Sequence, residues 1–330
     1  MKQHVLGIES TAHTFSVSVV SSDGKILSNP KNTYLPPEGS GIHPFEASKS
    51  HLRAAPSVLR EALESSRMGP RDMSAVCYSM GPGLGPCLRV GAVVARTLAS
   101  ASSVPLVPVN HAVGHIELGC LLTRSADPLV LLVSGGHTMV IAFSGGRWRV
   151  LGETLDLTLG QLVDQFGRHT GLSSPCGRLI EEAAARSSNY LPLSYSVKGN
   201  DVSYSGMLTE AKRLFDQGIK FEDVCFSIQE TAFAMIVEVT ERALAFTGRK
   251  EVMIVGGVAA NRRLSDMMSA MTKRHSARFS AVPVGYSGDC GAQIAWTGYL
   301  VYRTGTKIPI RESSVRQSWR LDSVDIPWRS

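Results

Sequence analysis

Hydrophobic and polar residues alternate at the start of the chain with the period of β-strands. The pattern predicts three strands, at residues 5–9, 14–20 and 25–27. A polar loop that carries Ser10 and His13 separates the first two of these strands. This order of strand, loop, strand, turn and strand predicts a β-meander.

The same order of strands recurs in the middle of the chain. A second predicted meander has its strands at residues 129–133, 138–143 and 147–151. One offset along the chain aligns three polar pairs of the two meanders: Ser10 with Ser134, His13 with His137, and Thr14 with Thr138. We interpret the two meanders as an internal repeat of one structural unit.

Helical patterns and apolar strands follow each meander. The predicted elements are helices at 51–66 and 89–100 with strands at 74–80 and 104–109, then helices at 223–247 and 292–300 with strands at 251–255 and 278–284. The alternation predicts an α/β fold of two related lobes, at residues 1–125 and 126–300. Two such lobes facing each other would hold a nucleotide in the cleft between them.

The last thirty residues, 301–330, form a basic tail that contains Trp319 and Trp328. We expect this tail to pack back on the first lobe. Contact with the phosphates and bases of RNA is the alternative, because arginine and tryptophan side chains serve both purposes.

The composition is that of an ordinary globular protein, with 43% hydrophobic and 19% charged residues. The net charge of +6 is compatible with a nucleic-acid partner but is equally compatible with a solvated basic surface. The six cysteines include no C-x-x-C pair, so we expect reduced, mostly buried thiols and a cytoplasmic location. No signal peptide and no apolar run of about 18–20 residues is visible, so no membrane segment is expected.

The strongest chemical signal is a pair of histidines four residues apart in a predicted helix. His111 and His115 lie on one face of that helix and can bind one divalent metal ion. A zinc protease carries a glutamate just after the first histidine, and here that position is Ala112. Asp289, in a glycine-rich turn, is a candidate third ligand. Its alternative role is to cap the helix that starts at residue 292, and packed or solvated histidines are the alternative for the pair.

Two glycine pairs follow apolar strands and are candidates for nucleotide binding. They are Ser134-Gly135-Gly136 and Gly256-Gly257, the latter with Asn261 at a helix start. Glycines let backbone N–H groups approach phosphate or sugar oxygens closely. Neither pair is followed by the lysine of a P-loop, and simple turns are the alternative reading of each.

Several segments, taken together, resemble one known family over almost the whole chain. They are Gly7-Ile8-Glu9-Ser10-Thr11-Ala12-His13-Thr14, Met80-Gly81-Pro82-Gly83-Leu84-Gly85, Asn110-His111-x3-His115, Val133-Ser134-Gly135-Gly136-His137-Thr138, Ser205-Gly206, Gln229-Glu230-Thr231-Ala232-Phe233 and Gly256-Gly257-Val258-Ala259-Ala260-Asn261. The set resembles the tRNA N6-adenosine threonylcarbamoyltransferase family, in particular its archaeal and eukaryotic branch, the catalytic subunit of the KEOPS complex. The family was formerly labelled an O-sialoglycoprotein endopeptidase, and the absent glutamate beside His111 argues against that label.

The resemblance implies a fold of two actin-like lobes (actin/hexokinase/Hsp70, or ASKHA) around a nucleotide cleft. It implies a metal-dependent acyltransferase that moves threonylcarbamoyl from threonylcarbamoyl-AMP to N6 of adenosine 37 of tRNA, which forms threonylcarbamoyladenosine (t6A). The implied metal ligands are His111, His115 and Asp289, with Fe(II) favoured and Zn(II) as the alternative. The implied nucleotide-binding residues are Leu132, Val133, Ser134, Gly135, Gly136, Asp164, Gly177, Glu181 and Asn261. ATP, ADP or AMP would occupy the same cleft.

The implied partners are tRNA and three KEOPS subunits, namely a small protein kinase, a dimerising subunit and a small kinase-activating subunit. Four positions depart from the usual family pattern. Leu132 replaces a tyrosine, Cys176-Gly177-Arg178 replaces Gly-Gly-Pro, Cys290 replaces an asparagine, and Phe45 replaces an arginine. None of these changes removes an implied metal ligand.

Two other functions use the same lobes. An actin-like ATPase or small-molecule kinase would place Glu9 near a magnesium ion, but magnesium prefers oxygen ligands and would leave the histidine pair unexplained. A nucleotide-dependent scaffold within a complex is the non-enzymatic alternative, and transfer assays with and without partner proteins would distinguish it.

Overall fold

The structure is a computed structural model that describes residues 2–329, and its strands form two large mixed sheets and one short hairpin. The elements of the first part of the chain are β1 (His4–Glu9), β2 (Thr14–Ser21), β3 (Ile26–Ser28), β4 (Lys31–Thr33), α1 (Pro44–Ser66), β5 (Ala75–Gly81), α2 (Gly85–Ser102), β6 (Leu106–Asn110) and α3 (His111–Thr123).

The second part of the chain repeats the plan with larger helices. Its elements are β7 (Leu129–Val133), β8 (Thr138–Ser144), β9 (Arg147–Glu153), α4 (Leu159–His169), α5 (Gly177–Ala184), β10 (Val197–Lys198), β11 (Asp201–Val202), α6 (Ser205–Asp216), α7 (Phe221–Thr247), β12 (Glu251–Val255), α8 (Arg262–Arg274), β13 (Arg278–Ala281), α9 (Val284–Ser287) and α10 (Gly291–Arg303).

The two large sheets have related topologies. The first has the order β3-β2-β1-β5-β6 with β4 also on β2, and the second has the order β13-β12-β7-β8-β9. In each, an antiparallel meander is extended by parallel strands on the side of its first strand. β1 and β7 therefore occupy equivalent positions, and the predicted repeat of two meanders is confirmed.

Several predicted element bounds were wrong. Helix α2, for example, begins at Gly85 rather than at residue 89. Helix α1 begins at Pro44 rather than residue 51, because proline suits the first helical position and because the buried residues of the added turns, Ala47 and Ser48, are too small to mark a hydrophobic face. Strand β13 ends at Ala281 rather than at residue 284. Pro283 follows it and starts the short helix α9.

Helix α3 lies largely in the interior of the molecule. Residues 111–120 are all buried, because the helix is apolar around its circumference and lies between the two sheets. A Cβ atom added to Gly119 would lie 2.8 Å from Cγ1 of Val255 in β12, so the glycine permits this close approach. The two histidines of the helix are thereby held in the interior of the molecule.

The segments after residue 284 return to the first sheet. Helix α10 packs on β1, β2 and β5 and against α3, and the tail beyond it bonds to elements of both halves of the chain. The division at residues 125 and 300 stays a prediction. Within residues 2–329, no helix has the length and apolar character that a membrane crossing requires.

Candidate metal centre and nucleotide cleft

The histidine helix begins abruptly at the end of strand β6. Asn110 is its N-cap, and Oδ1 of this residue accepts hydrogen bonds from the backbone N–H groups of Ala112 (3.0 Å) and Val113 (3.2 Å). His111 is therefore the first helical residue, and His115 lies one turn further on. Their rings are buried, with centroids 4.7 Å apart in an edge-to-face arrangement.

Asp289 completes a compact group with the two histidines. Its Oδ1 lies 3.2 Å from Nε2 of His115 and 3.6 Å from Nε2 of His111. One ligand atom from each of the three side chains lies within 4.8 Å of the others. Cys290, not Asp289, is the N-cap of α10, so the aspartate faces the histidines rather than the helix end.

Glu9 holds His111 from the other side of the ring. Its Oε2 lies 2.9 Å from Nδ1 of His111, and its Oε1 accepts a hydrogen bond of 2.6 Å from the backbone N–H of Thr11. The glutamate is fully buried, so it is neither a surface carboxylate nor a simple turn residue. A carboxylate at Nδ1 fixes the proton there and leaves Nε2 free to bind a metal.

The charges around the three ligands suit a cation. Burial by itself lowers the pKa of His111, but the negative charges of Glu9 and Asp289 outweigh it and raise this pKa to about 9. Burial lowers the pKa of His115, and the histidine charges hold the pKa of Asp289 well below its usual range although burial opposes them. A divalent metal would displace the proton that His111 otherwise carries. Two imidazole nitrogens and one carboxylate fit a divalent transition metal.

A cavity of about 1400 Å³ connects the candidate metal centre with the glycine loop of the second meander. His111 and Asp289 line it, together with seven residues that the sequence assigned to a nucleotide: Ser134, Gly135, Gly136, Asp164, Gly177, Glu181 and Asn261. Leu132 and Val133 are buried within β7 instead of facing this cavity. A role for them in nucleotide binding stays a prediction.

The loop after β7, residues 134–137, leaves its backbone accessible to a ligand. Within residues 2–329, no atom lies within 4 Å of a Cβ added to Gly135 or Gly136, and both residues are exposed to the cavity side. Oγ of Ser134 accepts hydrogen bonds from the N–H groups of Gly136 (3.2 Å) and His137 (3.0 Å). The loop therefore has a fixed shape with open space beside its backbone.

Two of the polar nucleotide candidates also support the cavity wall. Asp164 accepts hydrogen bonds from the N–H of Cys176 (2.7 Å) and from Oγ of Ser174 (3.0 Å), which fixes the loop before α5. Glu181 accepts a hydrogen bond of 2.8 Å from the N–H of Arg262. These bonds explain how a loop with Cys176 and Arg178 at the departing positions keeps a defined shape.

Both ends of the Asn261 side-chain amide are hydrogen-bonded within the protein. Its Oδ1 caps α8 by accepting from the N–H of Leu264 (3.1 Å), and its Nδ2 donates to Oε1 of Gln229 (3.0 Å). The preceding Gly256 has φ +96°, and a Cβ there would lie 2.3 Å from the carbonyl oxygen of Val133. This glycine is required where the chain leaves β12 close beside the end of its parallel neighbour β7.

Two histidines of the site were recognised in the repeat but not predicted as functional residues. His13 and His137 line the cavity, and in the described part of the chain Nδ1 of each is buried without a hydrogen-bond partner. The ring of His137 stacks on His111 at 6.2 Å, and burial, followed by the charges of His111 and His115, lowers its pKa to about 3. Their equivalent places after β1 and β7 were the signal that could have identified them.

Several known proteins are similar to this chain. The family model described as TsaD, tRNA N6-adenosine threonylcarbamoyltransferase, matches residues 25–296. A protein of that name from Caldivirga maquilingensis is 50% identical over 324 residues, which are 98% of either chain. Another from Methanopyrus kandleri is 51% identical over 332 residues, with 98% of this chain and 96% of the relative covered.

A longer relative carries a similar sequence as part of a larger protein. It is named a probable bifunctional tRNA threonylcarbamoyladenosine biosynthesis protein, from Methanothermobacter thermautotrophicus. Its identity to this chain is 49% over 323 residues, which cover 98% of this chain and 60% of the relative.

Solved structures share the fold at low sequence identity. HypF from T. kodakarensis superposes with a TM-score of 0.64 and 13% identity, over 92% of this chain and 48% of that one. The activator of 2-hydroxyisocaproyl-CoA dehydratase from Clostridium difficile has a TM-score of 0.55 and 13% identity, over 94% and 99%. The predicted actin-like fold is confirmed. From the extent of the family match and of the relatives, the chain belongs to the TsaD family of tRNA N6-adenosine threonylcarbamoyltransferases.

Proposed function

We propose that this chain transfers the threonylcarbamoyl group of threonylcarbamoyl-AMP to N6 of adenosine 37 of tRNA. The observation that carries the proposal is one cavity that joins a buried group of His111, His115 and Asp289 to the open glycine loop at Gly135 and Gly136. The first feature suits a metal-assisted acyl group, and the second suits a nucleotide. The names of the relatives support the same product.

The chemistry requires positioning more than a strong nucleophile. Threonylcarbamoyl-AMP is a mixed anhydride and is already activated, so alignment of its carbonyl carbon with N6 accounts for most of the acceleration. The bond from N6 to that carbon forms and the bond from the carbon to the phosphate oxygen breaks. AMP leaves with the electron pair, and N6 releases one proton.

The metal ligands define where the acyl group lies. His111, His115 and Asp289 would hold one divalent ion, with Fe(II) favoured and Zn(II) as the alternative. When bound, the ion supplies positive charge that polarises a carbonyl oxygen. Glu9 keeps Nε2 of His111 directed to this point through its hydrogen bond to Nδ1.

The second lobe would hold the adenylate. The backbone N–H groups beside Gly135 and Gly136 are free to approach its phosphate, since open space surrounds both residues. Asn261 and Glu181 line the same cavity and offer groups for the ribose or adenine. His13 and His137 line the same cavity, and Nδ1 of each has no partner among residues 2–329, so these atoms would be available to the acyl group.

The proposed partners follow from family membership. They are tRNA and the three KEOPS subunits, that is, the small protein kinase, the dimerising subunit and the kinase-activating subunit. The bifunctional relative, of which this chain matches 60%, supports a function exercised together with a further protein segment. The six buried, unpaired cysteines support a cytoplasmic location.

The experiment measures t6A by mass spectrometry of tRNA nucleosides after incubation with threonylcarbamoyl-AMP, together with the metal content of the protein. We expect t6A from the wild-type chain, alone or with its partners. His111→Ala should lose both bound metal and t6A formation while it remains folded. His4→Ala, a histidine at the far end of β1 from the cavity, serves as the matched control. A His111→Ala protein with bound metal and full tRNA modification would refute the proposed metal centre.

The kinase alternative is disfavoured by the position of Glu9. It requires this carboxylate near a nucleotide-bound magnesium ion, but both of its oxygens are engaged by His111 and Thr11 in the interior. The kinase alternative would be supported if the chain consumed ATP in the absence of an acyl acceptor and phosphorylated a small molecule. A chain that binds nucleotide but transfers nothing even with its partners would indicate the scaffold function.

A further inference from the structure

The chain beyond α10 forms a strap, residues 308–329, that crosses both halves of the molecule. In the first half, the N–H of Ile308 donates to the carbonyl of Leu106 in β6 (3.0 Å), and the N–H of Arg316 donates to that of Met80 in β5 (2.8 Å). In the second half, the N–H of Ile326 donates to the carbonyl of Gly146 (2.9 Å). The family match ends at residue 296, so the strap lies outside it.

The strap is hydrogen-bonded to the beginning of the histidine helix through the side chain of Asn110. Nδ2 of Asn110 donates a hydrogen bond of 3.0 Å to the carbonyl oxygen of Trp319. The other end of the same amide, Oδ1, caps α3. The strap therefore fixes the orientation of the amide that starts the helix, and His111 is the next residue.

The end of the strap contacts the same helix a second time. Nε and Nη2 of Arg329 donate to Oε1 (2.8 Å) and Oε2 (3.0 Å) of Glu117, a residue of α3 that is 3% exposed. Nε1 of Trp148, from β9, donates to the same glutamate (3.0 Å), and the guanidinium lies 4.8 Å from the Trp148 ring centroid. The bidentate ion pair ties α3 to the end of the strap, and the Trp148 bond ties the same glutamate to β9 of the second sheet.

We propose that the strap positions the histidine helix α3, through the hydrogen bond of Trp319 with Asn110 and through the ion pair of Arg329 with Glu117. Asn110, at the start of the helix, and Arg329, at the end of the strap, are the positioning residues. His111 and His115 lie between the two contacts, at Asn110 and Glu117, so the strap restrains both ends of the segment that carries them. Neither residue touches the ligand atoms themselves. Their effect is on the direction of the two imidazoles toward Asp289, and the inference rests on the metal centre of the proposed function.

A strap that only adds stability would behave differently from one that positions ligands. Groups that orient metal ligands change metal affinity by about 10- to 100-fold when they are removed. A stabilising contact changes the melting temperature of the metal-free protein and leaves the intrinsic affinity of a folded site unchanged. Metal affinity and melting temperature, measured separately, distinguish the two.

The experiment uses Co(II), whose visible absorption reports the geometry of its ligands, on the metal-free full-length chain. Asn110→Ser keeps a neutral capping oxygen but removes the amide that donates to Trp319. Arg329→Lys keeps the charge but removes the two-pronged contact with Glu117. Asp325→Asn is the control, because it breaks an exposed ion pair of the same strap with Arg147 (2.7 Å) that does not involve α3.

We expect Co(II) affinity to fall about tenfold with a changed absorption band in Asn110→Ser and Arg329→Lys, and to stay at the wild-type value in Asp325→Asn. Wild-type affinity and absorption in both strap variants would overturn the inference, including when their melting temperatures fall. A wild-type chain that binds no Co(II) would overturn it as well. Because no transfer reaction is measured, failure of tRNA modification alone would leave the inference intact.

Discussion

The loop after β1 and the loop after β7 occupy equivalent places in the two sheets but lie in different environments. The first has the sequence Glu9-Ser-Thr-Ala-His13 and the second Val133-Ser-Gly-Gly-His137. Ser10 is fully buried, and a Cβ added to Gly91 of α2 would lie 2.1 Å from its Oγ. By contrast, the glycines of the second loop border open space.

The difference shows how one structural unit takes on two tasks. In the first loop the extra carboxylate, Glu9, reaches α3 and holds His111, a candidate metal ligand, and the larger residues after it fill the space against α2. In the second loop Val133 turns into the core, and Gly135 and Gly136 leave room for a ligand. The histidines, His13 and His137, are shared and face the cavity from both sides.

The largest expected effect is a loss of folding stability at acidic pH, because a titratable side chain, His51, is hydrogen-bonded to the first loop. Nε2 of His51, in α1, lies 3.1 Å from the carbonyl oxygen of Ala12, and burial lowers the pKa of His51 from 6.5 to about 4. The unfolded chain then binds more protons between these values, so stability is complete above pH 6.5 and is lost as the pH falls toward 4. The loss is up to about 3 kcal/mol.

The measurement is the free energy of unfolding in urea, at neutral pH and near pH 4, for the wild type and for His51→Gln. Glutamine can donate to the carbonyl of Ala12 but does not titrate. The free energy of unfolding of His51→Gln should therefore fall less on acidification than that of the wild type. Thr158 holds the second loop by donating to the carbonyl of Gly135 (3.0 Å) and does not titrate. An equal acid loss in both proteins would contradict the prediction.

The second prediction removes the carboxylate that only the first loop has. Glu9→Gln retains an acceptor for the N–H of Thr11 but loses the charge beside Nδ1 of His111. We expect metal affinity to fall about 10- to 100-fold, as it does when a carboxylate behind a ligating histidine is lost. Titration of the metal-free protein with Zn(II) against a chelator measures this. The control is Glu61→Gln, which changes an exposed glutamate of α1. An unchanged metal affinity in Glu9→Gln would show that the carboxylate of the first loop does not contribute to metal binding.

Local patterns were sufficient to predict the two meanders and the histidine pair. Alternation with period two marks β1 and β2, and the spacing of His111 and His115 places both on one helical face. The carboxylate of Asp289 was also predicted to join them, although it is far away in the sequence, and the structure brings it to 3.2 Å from His115. The meanders and the histidine pair depend on residue type and short-range periodicity, whereas the joining of Asp289 with the two histidines was implied by the family resemblance.

The remaining features depend on long-range pairing that no local pattern reveals. Glu9 meets His111 because β1 lies two strands from β6, whose end starts α3. The contact of Asn110 with Trp319 joins positions 209 residues apart. Its acceptor is a backbone carbonyl, so the residue types do not indicate it. The start of α1 at Pro44 was missed since its first turns bury only small residues.

The third prediction converts the second loop into a copy of the first. The double variant Gly135→Thr with Gly136→Ala gives the sequence Ser-Thr-Ala-His. It should fold normally, because in the described residues no atom obstructs either Cβ. We expect adenine nucleotide affinity to fall about tenfold, which corresponds to about 1.4 kcal/mol or one hydrogen bond from a backbone N–H group.

Isothermal titration with AMP measures the loss. Gly69→Ala, outside the cavity and with only a 3.4 Å neighbour at its Cβ, is the control. Wild-type AMP affinity in the double variant would show that the glycines serve only the turn.

The smallest expected effect is on folding stability and concerns Thr158, which is hydrogen-bonded to the second loop. Oγ1 of Thr158 accepts from the N–H of Gln161 (3.1 Å) as the N-cap of α4 and donates to the carbonyl of Gly135. Thr158→Ala should lower the free energy of unfolding by about 1 kcal/mol, the usual cost of losing an N-cap. Thr158→Ser keeps the hydroxyl and should stay near the wild type. Since the first loop and the metal ligands are untouched, Zn(II) affinity should be unchanged in both variants, and a fall in Thr158→Ala would mean that the two loops are coupled across the cavity.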